Sequence, residues 1–409
     1  MRIVSIKSVT SSLTATEIVE KASGIYEEAV RIRRMIHENP ELGFEETKTA
    51  EMIADYLKGL GIEVTTGVAK TGVVGLLHGD KEGPVLALRA DIDALPIQEK
   101  TGVPYQSQNP GVMHACGHDM HTAMLLAAAH VLSQNKQHIS GTIKFIFQPA
   151  EEMKGGGGVM VDEGVLSNPA VDHAFAFHVW PELATGTYGF RNGAIMASMD
   201  SFDVVLKGKQ GHGAAPHQGV DAIVGAAHIV TALQTIVSRE TDPVDSVVLT
   251  IGTIEAGDGY NIIPEKASFR GTVRTLNADT RKKVAESIQR IVEGVASALK
   301  LEVEINFNFS VGYPVTINDS TFNEHAAAIA VDLFGEESVQ WLSKPSMASE
   351  DFAFYLEKVP GTFVFLGVAE NPDDPMKLHS DVFLPDEKAM IQGISLIVGI
   401  ALHTTEKIQ

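Results

Sequence analysis

The chain has 409 residues, 32 Lys and Arg against 52 Asp and Glu, a formal net charge of −20, 44% hydrophobic residues and one cysteine, Cys116. At about 150 residues per domain this length predicts two or three domains with a sizeable core. The acidic balance excludes a protein that holds nucleic acid by neutralising its phosphates, and the lone cysteine excludes an internal disulfide or a Cys₄ zinc module.

The first twenty residues carry Arg2 and Lys7 but no apolar core of signal-peptide length. The most apolar stretch, 394–402, is well short of the roughly 20 residues that span a bilayer. We therefore expect a soluble protein of the cytoplasm, with no membrane and no nucleic-acid partner.

Taken in chain order, helical periodicity predicts helices over 14–38 and 47–60, the second stopped by Gly59 and Gly61. Short β-branched runs predict strands at 73–77, 85–89, 142–147, 174–178 and, much later, 362–368. A helix over 120–132 follows Asp119, which is placed to cap it. This alternation of strands and helices predicts an α/β layer with a largely parallel, buried sheet. Four glycines at 155–158 lack the G-x-G-x-x-G spacing of a dinucleotide site and read as a turn.

The middle of the chain has a different order: strand 201–207, helix 221–239, strands 247–255 and 268–276, helix 279–299, strand 301–309. That β-α-β-β-α-β succession is the split pattern of ferredoxin-like folds. Because α/β signals continue on both sides, it reads as an insertion. The expected division is a discontinuous domain of 1–194 and 310–409 around an inserted domain of 195–309, with a hinge near Ala194 and Ser310.

Five segments place polar residues at or beyond the carboxyl end of a predicted strand. Asp91 and Asp93 follow 85–89, and alternation along extended backbone sends both to one side. His114, Cys116, His118 and His121 gather just before and within the start of a helix. Glu151 and Glu152 follow 142–147, His178 ends 174–178, and His379 lies in a loop after 362–368.

Open α/β sheets build their ligand crevices at that edge, so residues that converge on one crevice must come from one end of the strands. One thiol with several imidazoles and carboxylates matches first-row divalent metal chemistry. The inventory suffices for two ions sharing a water, which together polarise a carbonyl and acidify that water. Each residue also has a plain structural reading: Cys116 as a small buried hydrophobe, Asp119 as a helix cap, Glu151 and Glu152 as first-turn carboxylates facing a helix dipole, His178 as a core histidine, His379 as surface. Their shared position is what joins them.

The motifs D-I-D-A-L-P (91–96), H-A-C-G-H-D-M-H (114–121), Q-P-A-E-E (148–152), H-V-W-P (178–181), G-H-G-A-A-P-H (211–217) and L-H-S (378–380) together resemble the aminoacylase and carboxypeptidase metallohydrolases. The branch resembled contains hippurate hydrolases, N-acyl-amino-acid amidohydrolases, N-acetyldiaminopimelate deacetylases and plant auxin-conjugate hydrolases. The resemblance runs from about Ile32 to Leu402.

It implies a zinc-peptidase-like α/β catalytic domain with a mixed, largely parallel sheet, and a lid and dimerisation role for the ferredoxin-like insertion. It also implies two divalent ions, zinc or manganese with cobalt or nickel as further candidates, on Cys116, His118, Glu152, His178 and His379, with Glu151 as general base. His212 is implied to reach the active site of the partner subunit in a homodimer or a tetramer built from it, and Asn261 and Arg274 to hold the substrate carboxylate. Read without the resemblance, His212 is a turn residue, and Asn261 and Arg274 are loop and strand-surface residues. More distant relatives carry His-x-Asp where this chain has Asp91 and Asp93, and the Cys116 and His118 pair stands in place of that missing histidine.

The activity implied is hydrolysis of the amide bond of an N-acyl amino acid to a carboxylic acid and a free amino acid. Glu151 would serve as proton acceptor and donor, Asp93 would orient a ligand, and His212 would stabilise the oxyanion. The alternatives are a dipeptidase or carboxypeptidase on short peptides, a non-catalytic binding protein for amino-acid conjugates, and a structural protein that uses the lid dimer without metal.

Overall fold

The computed structural model describes residues 13–308 and 312–404. The N-terminal segment read for a targeting signal falls largely outside the described residues, as do Phe309 and the hinge residue Ser310. Two compact units emerge, one made of Met1–Gly193, Ile317–Lys344 and Asp351–Gln409, the other of Ala194–Thr316 and Pro345–Glu350.

The first unit begins with α1 (Ala15–Glu38), nucleated by a capping box in which the Thr14 N–H donates to Glu17 Oε2 at 2.8 Å and the Glu17 N–H to Thr14 Oγ1 at 3.3 Å. Next comes α2 (Thr47–Gly59), closed where Gly61 takes a left-handed φ of 72°. Six strands follow in chain order: β1 (Glu63–Val68), β2 (Gly72–His78), β3 (Lys81–Asp91), β4 (Ser140–Gln148), β5 (His173–Ala184) and β6 (Tyr188–Phe190). With the later strands Gly361–Ala369 and Val339–Trp341 they form an eight-stranded sheet in the order β1, β2, β4, β3, β5, Gly361–Ala369, β6, Val339–Trp341.

Its centre, from β4 through β3 and β5 to Gly361–Ala369, is parallel throughout, and antiparallel pairs flank it. The central strands are apolar on both faces, Phe145, Phe147, Phe175 and Val364 all being buried, because helices cover a parallel sheet on both sides. α1, α3 (His118–Ser133) and the C-terminal helix Ala389–His403 pack against one another in that core.

Several elements differ from expectation, β1 and the glycine run among them. β1 carries no alternating signal, since most of its residues are exposed. The glycine run is not a turn: after the one-turn α4 (Glu151–Lys154), α5 (Gly156–Asp162) is a helix.

The second unit holds an antiparallel four-stranded sheet in the order Val247–Ala256, Lys266–Thr275, Asp200–Lys207, Glu302–Phe307. Two helices, Ala222–Thr235 and Ala278–Ala298, supply Ile229, Leu233, Val284, Ile288 and Val292 to a core shared with Phe202, Val204, Leu206 and Phe269. Asp221 and Asn277 cap these helices through their side chains. This is the split β-α-β-β-α-β arrangement.

The unit is larger than 195–309. It runs to Thr316 and includes Pro345–Glu350, because the Ser346 N–H donates to Ile195 O at 2.8 Å and the Ala197 N–H to Ala348 O at 2.9 Å. Among the described residues one helical stretch, Ala222–Glu240, is long and apolar enough by composition to cross a membrane, rather than the shorter 394–402. Its Ala222, Ala226, Ile229, Leu233 and Ile236 are spent on the core of this unit.

Candidate metal centre

The parallel strands deliver their carboxyl ends side by side. Register places Asp91, last residue of β3, opposite Gln148, last of β4, while His178 on β5 lies opposite Phe365. Beyond β4 the chain turns through Ala150, a non-glycine residue at φ 56°. That left-handed geometry costs roughly 1 kcal/mol and starts α4 with Glu151 and Glu152. His379 is also left-handed, at φ 61°, and its N–H donates to Ala115 O at 2.8 Å, locking its loop to the residue before Cys116. Gly117, at φ 88°, leads from Cys116 into α3, and a Cβ there would stand 2.5 Å from Val179 Cγ2.

Among the described residues five groups have donor atoms within 4.8 Å of one another, and three of them gather the expected ligands: Cys116 with His118 and His178, Cys116 with Glu152 and His379, and His118 with Glu151 and Glu152. Cys116 belongs to the first two. Its Sγ is 3.4 Å from His178 Nε2, and His379 Nε2 is 3.2 Å from Glu152 Oε1.

The surrounding bonds orient the rings. His178 Nδ1 donates to Val179 O at 2.7 Å, and His118 Nδ1 lies 3.2 Å from Asp93 Oδ1. Each contact holds a proton on Nδ1 and turns Nε2 to the cluster, the orientation of a metal-bound imidazole. His118 Nε2 has no hydrogen-bond partner although it is buried. The other Asp93 oxygen accepts the Glu152 N–H at 3.0 Å, so one carboxylate sets two donors.

Asp91 and His121 also lie close to His118, but their polar atoms are used elsewhere. His121 Nδ1 is 2.6 Å from Asp91 Oδ1, His121 Nε2 accepts the Val179 N–H at 2.9 Å, and Asp91 Oδ2 receives Arg89 at 2.7 Å. Since His121 Nε2 is an acceptor, Nδ1 carries the proton and donates to Asp91. His121 thus braces Val179, the residue whose carbonyl accepts from His178.

Charge in the pocket calls for a cation. Burial and the Glu152 and Glu151 carboxylates push the Cys116 thiol well up. For His118 burial opposes protonation, yet Asp91, Asp93 and Glu152 outweigh it and lift the ring to about 10. Burial, with His121 alongside, holds His178 well below its ordinary value. Groups that keep protons only because carboxylates crowd them release those protons to a bound metal. The unpartnered His118 Nε2, the thiol and the carboxylates form a donor set that fits divalent ions.

One sequence reading is corrected here. Asp119 does not cap α3, which begins one residue earlier at His118 after Gly117. It is buried against Arg33 Nε at 2.7 Å and His37 Nδ1 at 2.8 Å, tying α1 to the start of α3. His114 belongs to none of the donor groups found among the described residues; it is buried with neither ring nitrogen hydrogen-bonded, and burial pushes it down to about 4.

A buried network escaped the sequence. Arg89 reaches Gln148 Oε1 at 3.0 Å and Asp351 Oδ1 at 2.9 Å, and Asp351 also accepts the Gly157 N–H at 2.7 Å. An arginine inside an otherwise apolar strand was the available signal; Asp351 carried none.

His212, Asn261 and Arg274 all belong to the second unit. His212 pairs with Ile262 in a two-stranded ribbon, and the Gly213 N–H donates to Asn261 O at 2.8 Å, so His212 and Asn261 are neighbours. Arg274, on Lys266–Thr275, donates to Met347 O at 3.1 Å.

A parallel sheet ending in shared thiol, imidazole and carboxylate donors defines a metal-dependent hydrolase of the α/β peptidase class. The chain belongs to peptidase family M20/M25/M40, which it matches over residues 87–403. It is similar to the hippurate hydrolase of Campylobacter jejuni, 42% identical over 91% of this chain and 95% of that one. It is also similar to the N-acetyl-L-cysteine deacetylase of Bacillus subtilis, 41% identical over 91% of this chain and 86% of the relative. The solved Bacillus subtilis YXEP protein, described as a dinuclear metal binding peptidase from the M20 family, superposes with a TM-score of 0.80 at 36% identity, covering 93% of this chain and 99% of that one. The α/β catalytic fold with a separate ferredoxin-like unit, expected from the motifs, agrees with these matches.

Proposed function

We propose that the enzyme is an amidohydrolase that cleaves the amide bond of N-acyl amino acids, with Glu151 as general base. The observation that carries this is the position of the buried Glu151 carboxylate, whose donor atom groups within 4.8 Å of those of His118 and Glu152. A proton carrier is thereby set directly against the metal donors. The names of the hippurate hydrolase and the N-acetyl-L-cysteine deacetylase support an acyl amino acid as the substrate class.

In this reading Cys116, His118, Glu152, His178 and His379 would hold two divalent ions. The thiolate favours zinc, and the carboxylates and imidazoles also admit manganese, cobalt or nickel. When bound, such ions polarise the amide carbonyl and acidify a water. Glu151 takes the proton of the attacking water and hands it to the leaving nitrogen. Asp93 keeps His118 and the Glu152 backbone in place during that exchange. As the resemblance implies, His212 would donate to the oxyanion in the active site of the partner subunit, while Asn261 and the forked guanidinium of Arg274 would receive the free carboxylate.

A homodimer through the second unit, or a tetramer built from it, fits the exposed apolar side chains Val248 and Ile254 on the edge strand Val247–Ala256, and Ile223 and Val224 on the helix Ala222–Thr235. A lone cysteine serving as ligand suits the reducing cytoplasm.

The test is release of free amino acid from N-acetyl-methionine, hippurate, N-acetyldiaminopimelate and several dipeptides by metal-loaded and chelated enzyme. Metal-dependent release from the acyl substrates is expected. Release from dipeptides alone would move the assignment to the peptidase reading, which the description of the YXEP protein favours. Glu151→Ala is expected to keep its metal and to lose about 10²- to 10⁴-fold in kcat; undiminished turnover would remove Glu151 from the mechanism.

A further inference from the structure

We propose that Glu46 is a positioning residue for the general base, acting through the backbone of Ala150. The inference rests on the reading of Glu151 as that base. Ala150 immediately precedes Glu151 and holds a left-handed conformation, φ 56° and ψ 42°, that an alanine does not adopt unaided. Its N–H donates to Glu46 Oε1 at 2.9 Å, across 104 residues of chain. The second Glu46 oxygen accepts from Thr71 Oγ1 at 2.6 Å.

Glu46 has no solvent exposure. It stands at the N-cap of α2, yet its side chain makes no cap bond there, so the usual use of a carboxylate at a helix start does not explain it. The loop before it is shaped to the same turn. A Cβ on Gly43 would stand 3.0 Å from both Cα and Cβ of Ala150, so the chain around Gly43 and Glu46 lies directly against the turn.

The turn is held from the other sides as well. The Gly156 N–H donates to Ala150 O at 3.1 Å, and Asp93 takes the Glu152 N–H at 3.0 Å. Glu151 is therefore bracketed by two carboxylate–amide bonds, Glu46 on the residue before it and Asp93 on the residue after it. The direction of a side chain follows from the backbone angles on either side of it, and a displacement of about 1 Å at a reacting group costs on the order of a hundredfold in rate. Asp93 also serves His118. Among the described residues Glu46 makes no hydrogen bond or ion pair with a donor side chain, which separates its role from metal binding.

The test compares Glu46→Ala, Glu46→Gln and Glu151→Ala as full-length, metal-loaded enzyme, assayed well below each Tm. The readouts are kcat, KM, bound metal per chain and Tm. Glu46→Ala is expected to lose about 10- to 100-fold in kcat, with KM and metal content unchanged. Glu46→Gln keeps an acceptor for the Ala150 N–H and a polar group for Thr71, and is expected to recover most of that loss.

Wild-type kcat in Glu46→Ala overturns the proposal. So does a loss of kcat that only tracks lost metal or lost folded protein, and so does a glutamine that fails to rescue. If Glu46→Ala does not fold, Glu46→Asp, which withdraws the acceptor by one methylene, is read by the same criteria. Turnover retained by Glu151→Ala is seen in a separate variant and sinks the general-base reading itself.

Discussion

Asp93 shows how much one side chain can decide at this site. One oxygen faces His118 Nδ1 at 3.2 Å and the other accepts the Glu152 N–H at 3.0 Å. Truncation to alanine frees the His118 ring to rotate and to carry its proton on either nitrogen, and it releases the backbone of a neighbouring donor. Loss of such a partner commonly weakens metal binding about 10- to 100-fold. Asp93→Ala is expected to show that loss in a competition titration against a chromophoric chelator, with the fold retained; unchanged affinity would mean that the ring needs no such support. The alternation of Asp91 and Asp93 along extended backbone was legible in the sequence. Their separate duties, Asp91 on His121 and Asp93 on His118, depend on where α3 lies over the strand ends.

Among the elements, α5 differs most from its sequence signal. The run lacks the spacing of a dinucleotide site and reads as a turn, and each glycine in a helix interior costs about 1 kcal/mol relative to alanine. Contacts override that propensity. A Cβ on Gly156 would stand 1.8 Å from Pro149 O, and one on Gly157 would stand 2.9 Å from Asp351. The helix packs backbone against backbone beside the turn that carries Glu151.

At Gly158 the nearest atoms are those of the Phe354 ring, at 3.3 Å. Gly156→Ala is therefore expected to destabilise by about 2–4 kcal/mol, and Gly158→Ala to fall within about 1 kcal/mol of wild type, because helix propensity offsets a small ring movement. Urea unfolding of the two variants checks the contrast, and equal effects would contradict it. The Asp119 reading failed for a related reason. A carboxylate in the first turn of a helix has the composition of a cap, and only packing against Arg33 and His37 of α1 reveals a buried ion pair.

For the molecule as a whole, stability depends on groups far from the metal donors. His325, in the helix Ser320–Phe334, is pushed down to about 4 by burial, with the nearby His403 and His173 acting in the same sense. Its folded value lies below the unfolded value of about 6.5, so between these limits the unfolded chain binds the extra proton. Stability contributed by the neutral ring is full above pH 6.5 and falls as the pH drops towards 4. The loss is on the order of 3 kcal/mol. His325→Gln should flatten the pH dependence of unfolding over that window, measured by urea titration at several pH values. A variant whose slope matches wild type would show that His325 does not contribute it.

The sequence by itself determined the two-part architecture and the strand ends where thiol, imidazole and carboxylate residues gather, because hydrophobic period and motif spacing are local properties that survive without neighbours. The helical period of α1, the apolar parallel strands and the β-α-β-β-α-β order are of this kind. Tertiary structure alone decided that Cys116 is shared between two donor groups, that His121 and Asp91 brace the site through hydrogen bonds, and that Arg89, Gln148 and Asp351 form one buried network. It also decided that Pro345–Glu350 returns to the second unit and that Glu46 reaches Ala150. Each of these joins segments far apart in the chain, and such a contact exists only once the sheet order and register bring its two ends within hydrogen-bond distance.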